Sequence, residues 1–210
     1  YEGQCEVTPE ITEKVAELVD STDNRENKIK HLYNYVAHEI EYEDLNFQYS
    51  AYVPQKAESV IHDGYGDCKD KATLLITLLK AIEIPAYIAL SEPGYFGDNF
   101  VQPSNRFSHV FVIVDTGNGE IILDPTSKLY TYSEIPDYLV DSYYLPIPPI
   151  ENQKDSVKIQ RLSNLILNDT TIIKIQIKEE GENYQLNGKI IGTGSYAAII
   201  RDLLTSNDKS

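Results

Sequence analysis

Three residues in this sequence have types and settings suited to acyl transfer: Cys68, His109 and Asp124. Cysteine catalysis needs a thiolate to attack the carbonyl, an imidazole to carry the proton and a polar group to orient that imidazole. Cys68 stands in Gly64-Tyr65-Gly66-Asp67-Cys68-Lys69-Asp70-Lys71-Ala72, ahead of Leu74, Leu75, Leu78, Leu79 and Ile82. Apolar residues three and four apart predict an amphipathic helix with the thiol at its mouth. Asp67 is the expected N-cap, with Asp70 as the acid of a capping box. Free helix N–H groups and the positive end of the helix dipole favour the thiolate. Lys69, Lys71 and a protonated His109 act in the same sense, whereas Asp67 and Asp70, expected to be solvated and screened, oppose it.

His109 and Asp124 need a hairpin to bring them together. Phe107 to Val114 and Glu120 to Leu123 are β-branched runs around Asp115-Thr116-Gly117-Asn118-Gly119, which predicts one. His109, Phe111 and Ile113 share one face of the first strand. A hairpin loop with an even number of residues places Asp124 on that same face. A four-residue loop, Asp115–Asn118, sets the two directly opposite, about 5 Å apart between Cα atoms. A two-residue loop, Gly117-Asn118, makes them diagonal neighbours at about 7–8 Å. An odd loop without a bulge separates them.

Each residue also has a plainer reading. A cysteine ahead of an apolar helix can be a packed thiol. A strand histidine can be structural, and an Asp-Pro pair can simply begin a turn. The chain order of helix mouth, strand and adjacent strand, with compatible faces, favours chemistry. His31 and His38, seven apart on a helix, share a face, but no third ligand stands at useful spacing, so no metal is assigned; no other cofactor is expected.

The remaining elements frame that constellation. Pro9 to Val19 reads as a helix capped by Thr8, and a second runs from Asp23 or Asn24 to about Tyr42. Lys56 to His62 suggests a short helix ending in the Asp63-Gly64 turn, and Ala86 to Leu90 a buried strand. Leu45 to Val53 and Glu92 to Arg106 read as loops, the second long enough to border a site. Pro146, Pro148 and Pro149 form a stiff break, the expected domain boundary, giving 1–147 and 148–210. Strands around Asn164–Leu167, Thr171–Ile177 and Tyr184–Ile191, and a helix capped by Ser195, make a thin second module.

The 210 residues, 41% of them apolar, suffice for one sizeable core with an appendage. A formal charge of −15 argues against nucleic acid and anionic membranes as partners, and no apolar run is long enough to span a bilayer. With no methionine and no signal-like start, the sequence reads as a fragment or a processed form. Of the two cysteines, Cys5 lies in a polar stretch and reads as incidental. Sixteen tyrosines and no tryptophan, with clusters at Tyr42–Tyr52 and Tyr130–Tyr144, offer a cleft or a partner surface as well as core packing.

Gly66-Asp67-Cys68-Lys69-Asp70-Lys71-Ala72, His109-Val110-Phe111-Val112 and Leu123-Asp124-Pro125-Thr126 together resemble the cysteine, histidine and aspartate motifs of the transglutaminase-like superfamily. Tyr52-Val53-Pro54-Gln55 further resembles its bacterial cysteine-protease branch. The resemblance implies a papain-like α+β fold with helices on an antiparallel sheet, Cys68 as nucleophile, His109 as base and Asp124 as its orienter. It implies a peptide or protein substrate, an extracytoplasmic setting, and flanking β-rich domains, one of which would begin in the tail from Lys154. Hydrolysis through a thioester is the expected reaction, ahead of crosslinking; a catalytically silent binding module is the alternative. Without tryptophan, no indole can stabilise the oxyanion as in animal transglutaminases. The Cys68 backbone N–H supplies one donor, with Gln55 or Tyr65 as candidates for the second. Nothing resembles the calcium sites of the animal enzymes.

Overall fold

The computed structural model describes residues 3–44, 52–93, 107–132, 134–149, 158–162, 170–181 and 183–206. The chain divides into two units, Tyr1–Ser163 and Asn164–Ser210.

The first unit is built around one helix. Helix α1 (Pro9–Leu18) starts on the Thr8 side chain, which accepts from the Ile11 N–H. Helix α2 (Arg25–Glu39) starts on Asn24 in the same way. Strand β1 (Glu41–Tyr42), helix α3 (Ala57–Asp63), strand β2 (Tyr65–Gly66) and helix α4 (Cys68–Ala81) follow. Gly64 ends α3 in the left-handed conformation, φ 75°, which glycine adopts without steric penalty. Helix α4 buries Ala72, Leu74, Leu75, Leu78 and Leu79 against Ile11 and Val15 of α1 and Ile29, Leu32 and Val36 of α2. On its other side lie Ile88, Val110, Val112, Val114 and Leu123 of a sheet.

That sheet contains β3 (Ala86–Glu92), β4 (His109–Asp115), β5 (Glu120–Leu123), β6 (Tyr143–Ile147) and β7 (Gln160–Arg161), in the spatial order β5-β4-β3-β6-β7. All of its pairings are antiparallel. The β4–β5 register runs from Asp115 opposite Glu120 to Val112 opposite Leu123. Thr116 N–H donates to the Gly119 carbonyl at 2.9 Å, so the loop is the two-residue Gly117-Asn118 turn, with Gly117 at φ 85°.

Two boundaries differ from expectation. Helix α2 stops at Glu39 rather than near Tyr42, because Ile40 turns extended and Glu41–Tyr42 leave to pair in parallel with Tyr65–Gly66. The proline segment expected to part the domains at 147/148 is partly strand: Pro146 sits in β6 opposite Ala89. Beyond it, Gln160 and Arg161 return to pair with Tyr144 and Tyr143, so the first unit runs on to Ser163.

The second unit holds a long hairpin, β8 (Thr171–Glu180) with β9 (Asn183–Gly192), and helix α5 (Ser195–Ser206). Both strands are exposed along nearly their whole length; Ile173 is 61% and Ile177 67% accessible. Gly192 meets the helix where a Cβ would lie 2.7 Å from Ile200 Cδ1. The expected strand at Asn164–Leu167 and most of the loops at 45–53 and 92–106 lie outside the described residues. No described helix is long and apolar enough to cross a membrane.

Candidate active site

Cys68 is the first residue of α4, and the turn before it is locked by carboxylates. The Asp67 side chain accepts from the Lys69 N–H at 3.1 Å and the Asp70 N–H at 3.3 Å. Asp70 returns the contact, accepting from the Asp67 N–H at 3.2 Å, which completes the capping box. Both acids are buried, not solvated as expected, at 4% and 1% exposure. Asp67 is compensated by an ion pair with the buried Lys69 ammonium, so neither charge faces the thiol freely. Gly66 is required here, since a Cβ on it would fall 2.7 Å from Asp70 Cβ.

His109 opens β4, and Asp124 follows β5. The Gly117-Asn118 register makes them diagonal neighbours, and His109 Nε2 donates to Asp124 Oδ2 at 2.7 Å. With Nε2 engaged on Asp124, Nδ1 is the nitrogen left for Cys68, whose thiol is near enough to help raise the imidazole pKa. Burial pulls the His109 pKa down, but the Asp124 and Cys68 hydrogen bonds and charges outweigh it, pushing the value up to about 10. Burial alone would raise Asp124; His109 and Thr126 overcome it and hold the carboxyl below its usual range. The pair is therefore imidazolium and carboxylate at neutral pH, beside a half-buried thiol.

Asp124 both begins a turn and bonds the imidazole. Its Oδ1 accepts from the Thr126 N–H at 3.0 Å, closing the turn of Asp124-Pro125-Thr126, and from Thr126 Oγ1 at 2.6 Å. Its Oδ2 holds His109 and also accepts from the Tyr138 hydroxyl at 2.8 Å. Tyr33 of α2 donates to the Asp124 backbone carbonyl at 3.2 Å. Thr126 was within reach of sequence reasoning, as the turn partner of an Asp-Pro pair. Tyr138 and Tyr33 lie 14 and 91 residues from Asp124, and no spacing signals them.

The other residues named from the sequence fall as follows. The Gln55 N–H donates to Asp70 Oδ1 at 2.8 Å and its side-chain Nε2 to Asp70 Oδ2 at 3.2 Å, so Gln55 is tied to the turn that carries Cys68. Tyr65, half-buried in β2, pairs with Glu41. Lys71 turns away from the site: fully buried, it donates to the Ile40 carbonyl at 2.7 Å. Tyr42 has its phenol pushed up to about 12, first by burial and then by the charges of Cys68, Asp44, Asp67 and Asp124. His31 faces Asp23, and the His38 ring bonds the Asn34 carbonyl. Among the described residues no group of three or more His, Cys, Asp or Glu is placed to hold a metal ion.

A thiol at the mouth of a central helix, packed on an antiparallel sheet that brings a histidine and an aspartate to it, defines a papain-like α+β fold. The family model of the transglutaminase-like superfamily matches residues 12–114, and the domain built from them belongs to that superfamily. The match includes Cys68 and His109 and ends short of Asp124. Among solved structures, the chain is similar to a putative protease from Parabacteroides distasonis ATCC 8503, at 12% identity and a TM-score of 0.49, covering 94% of this chain and 53% of that one. It is also similar to a putative cysteine protease from Cytophaga hutchinsonii, at 18% identity and a TM-score of 0.42, covering 60% of this chain and 41% of that one. The chain thus spans about half the length of the first. A comparison of the sequence with curated proteins finds no match.

Proposed function

We propose that this protein is a thiol hydrolase acting on amide bonds of peptides or proteins, with Cys68 as nucleophile, His109 as acid and base, and Asp124 as the group that orients His109. The observation that carries the proposal is the placed imidazole: Nε2 sits on the buried Asp124 Oδ2 at 2.7 Å, and the Cys68 thiol lies near enough to the same ring to help raise its pKa. In the first step the Cys68 thiolate adds to the amide carbonyl, the C–N bond breaks, and the His109 imidazolium protonates the departing amine. His109, now neutral, takes a proton from water, whose oxygen attacks the thioester and returns the thiolate with release of the acid. The Cys68 N–H at the helix mouth is one oxyanion donor. Gln55 is offered as the second, since its amide has one N–H beyond the one given to Asp70.

The test is trapping. Incubating the protein with a peptide library and analysing it by mass spectrometry should reveal an acyl adduct on Cys68 that is absent in Cys68→Ala and decays in water. Decay only when a lysine amine is supplied would transfer the reading to crosslinking. Absence of any adduct, with Cys68 alkylated at the rate of a free thiol, would leave the binding-module reading.

A further inference from the structure

We infer that Tyr138 is a positioning residue for the proposed catalytic pair: its hydroxyl occupies the same Asp124 oxygen that holds His109, and so limits how tightly the carboxylate retains the imidazolium proton. The inference rests on the function proposed above.

Asp124 is 1% exposed, so the hydrogen bonds it accepts replace water entirely. Four converge on its side chain, two per oxygen, and Oδ2 is divided between His109 Nε2 at 2.7 Å and the Tyr138 hydroxyl at 2.8 Å. An ionised carboxylate only accepts, and a phenol has one proton, so the Tyr138 proton points at Oδ2. The 3.3 Å approach of Tyr138 to Thr126 Oγ1 is secondary, because the threonine proton is already committed to Oδ1 at 2.6 Å. Burial and the Asp124 charge push the phenol upward, which keeps it a donor.

The ring is held as firmly as the hydroxyl. Tyr138 lies in the 3-10 turn Asp137–Leu139 and meets the His109 ring edge to face, with centroids 5.7 Å apart and planes at 88°. Tyr130 packs on Tyr138 in the same way at 6.3 Å and donates to Asp137 Oδ1 at 2.9 Å, bracing the turn from behind. The titratable groups facing His109 are Asp124 after β5, Cys68 at the start of α4 and Tyr138. Tyr42 on β1 and Lys71 on α4 feel the Asp124 charge from farther away.

A donor on Oδ2 withdraws charge that would otherwise bind the imidazolium. His109 must surrender that proton to the leaving amine, so a weaker hold makes a better acid. Tyr138→Phe keeps the ring and removes only the hydroxyl. The basic limb of the Cys68 alkylation profile should then move up by roughly half a pH unit or more, and kcat on a trapped peptide should fall several-fold with KM unchanged. Replacing Tyr138 with a ring-fluorinated tyrosine strengthens the donor and should move the limb down. A purely structural role predicts no shift in either variant, or a downward shift in Tyr138→Phe as His109 loses its orientation; either result overturns the inference. If Tyr138→Phe does not fold, the fluorinated protein decides alone. Alkylation needs no turnover, so the two readings fail separately. A wild-type profile like that of a free thiol sinks the proposed function, whereas an ion-pair profile unmoved in the variants sinks only the role of Tyr138.

Discussion

His109 and Asp124 are diagonal neighbours across the β4–β5 hairpin, joined at 2.7 Å between Nε2 and Oδ2, because the Gly117-Asn118 turn sets the register two residues from direct opposition. His109 is the first residue of β4, and the diagonal lets the buried Asp124 carboxylate reach it from the end of the adjacent strand.

Removing the Asp124 charge should be read in the pH dependence. The His109 pKa is raised above its unfolded value of 6.5 to about 10, so its stabilising contribution is complete below 6.5 and is lost as the pH climbs through 10. Asp124→Asn should lower the basic limb of Cys68 alkylation by two units or more, toward neutrality. It should also destabilise the fold by about 2–4 kcal/mol at pH 6, a deficit that shrinks at alkaline pH. Thiolate absorbance and denaturant melts at several pH values check both effects.

Lys71 carries the opposite sign. Its folded pKa is pushed down to about 8 from 10.5, chiefly by burial and next by Lys128. Between those values the unfolded chain binds more protons, so stability gains with rising pH. Relative to Lys71→Met, the wild type should therefore become more stable from pH 8 to 10.5, at up to ~1.4 kcal/mol per unit. Equal slopes for the two proteins in denaturant titrations would refute the assignment.

Gly66→Ala should strain the turn ahead of Cys68. The new Cβ would lie 2.7 Å from Asp70 Cβ and 3.4 Å from Asp70 Oδ2, so Asp70 has to move. We expect a loss of about 1–3 kcal/mol, in the range of overpacked cores, with slower Cys68 alkylation at pH 6. A thermal melt and an iodoacetamide time course suffice.

Asp70→Ala removes the capping-box acid and the anchor of Gln55 together. The cost should be about 2 kcal/mol, as for a lost cap plus a buried donor left unpaired. Because Tyr52 and Val53 are exposed just ahead of Gln55, proteolytic nicking there should rise more than global unfolding accounts for.

How much of this was legible can be judged residue by residue. The capping box of Asp67 and Asp70 and the shared face of His109 and Asp124 follow from local rules of spacing and parity, and both stand in the structure. Lys71 and Tyr138 follow from no local rule. A lysine in a helix reads as solvated until the C-terminal carbonyls of α2 are found above it. A tyrosine in an irregular stretch gains meaning only once Asp124 is placed. The tyrosines at 130–144 suggest a cleft, a partner surface or core packing from sequence alone. Packing accounts for Tyr130 and Tyr132, both buried, and Tyr138 meets His109 and Tyr130 edge to face. Pro146 misled because a proline usually breaks a strand, and here the strand tolerates it.

That tolerance has a consequence for how the protein meets copies of itself. Strand β7 covers β6 only at Tyr143 and Tyr144, so among the described residues Leu145 to Ile147 form a rim of the sheet. An open rim with a full set of amides would invite a strand from another molecule to add on and propagate. Pro146 has no amide hydrogen to offer, and a strand trying to extend the sheet there would leave one of its own carbonyls without a donor. The proline placed at the expected domain boundary thus gives the described rim of the sheet one position with no amide hydrogen to offer.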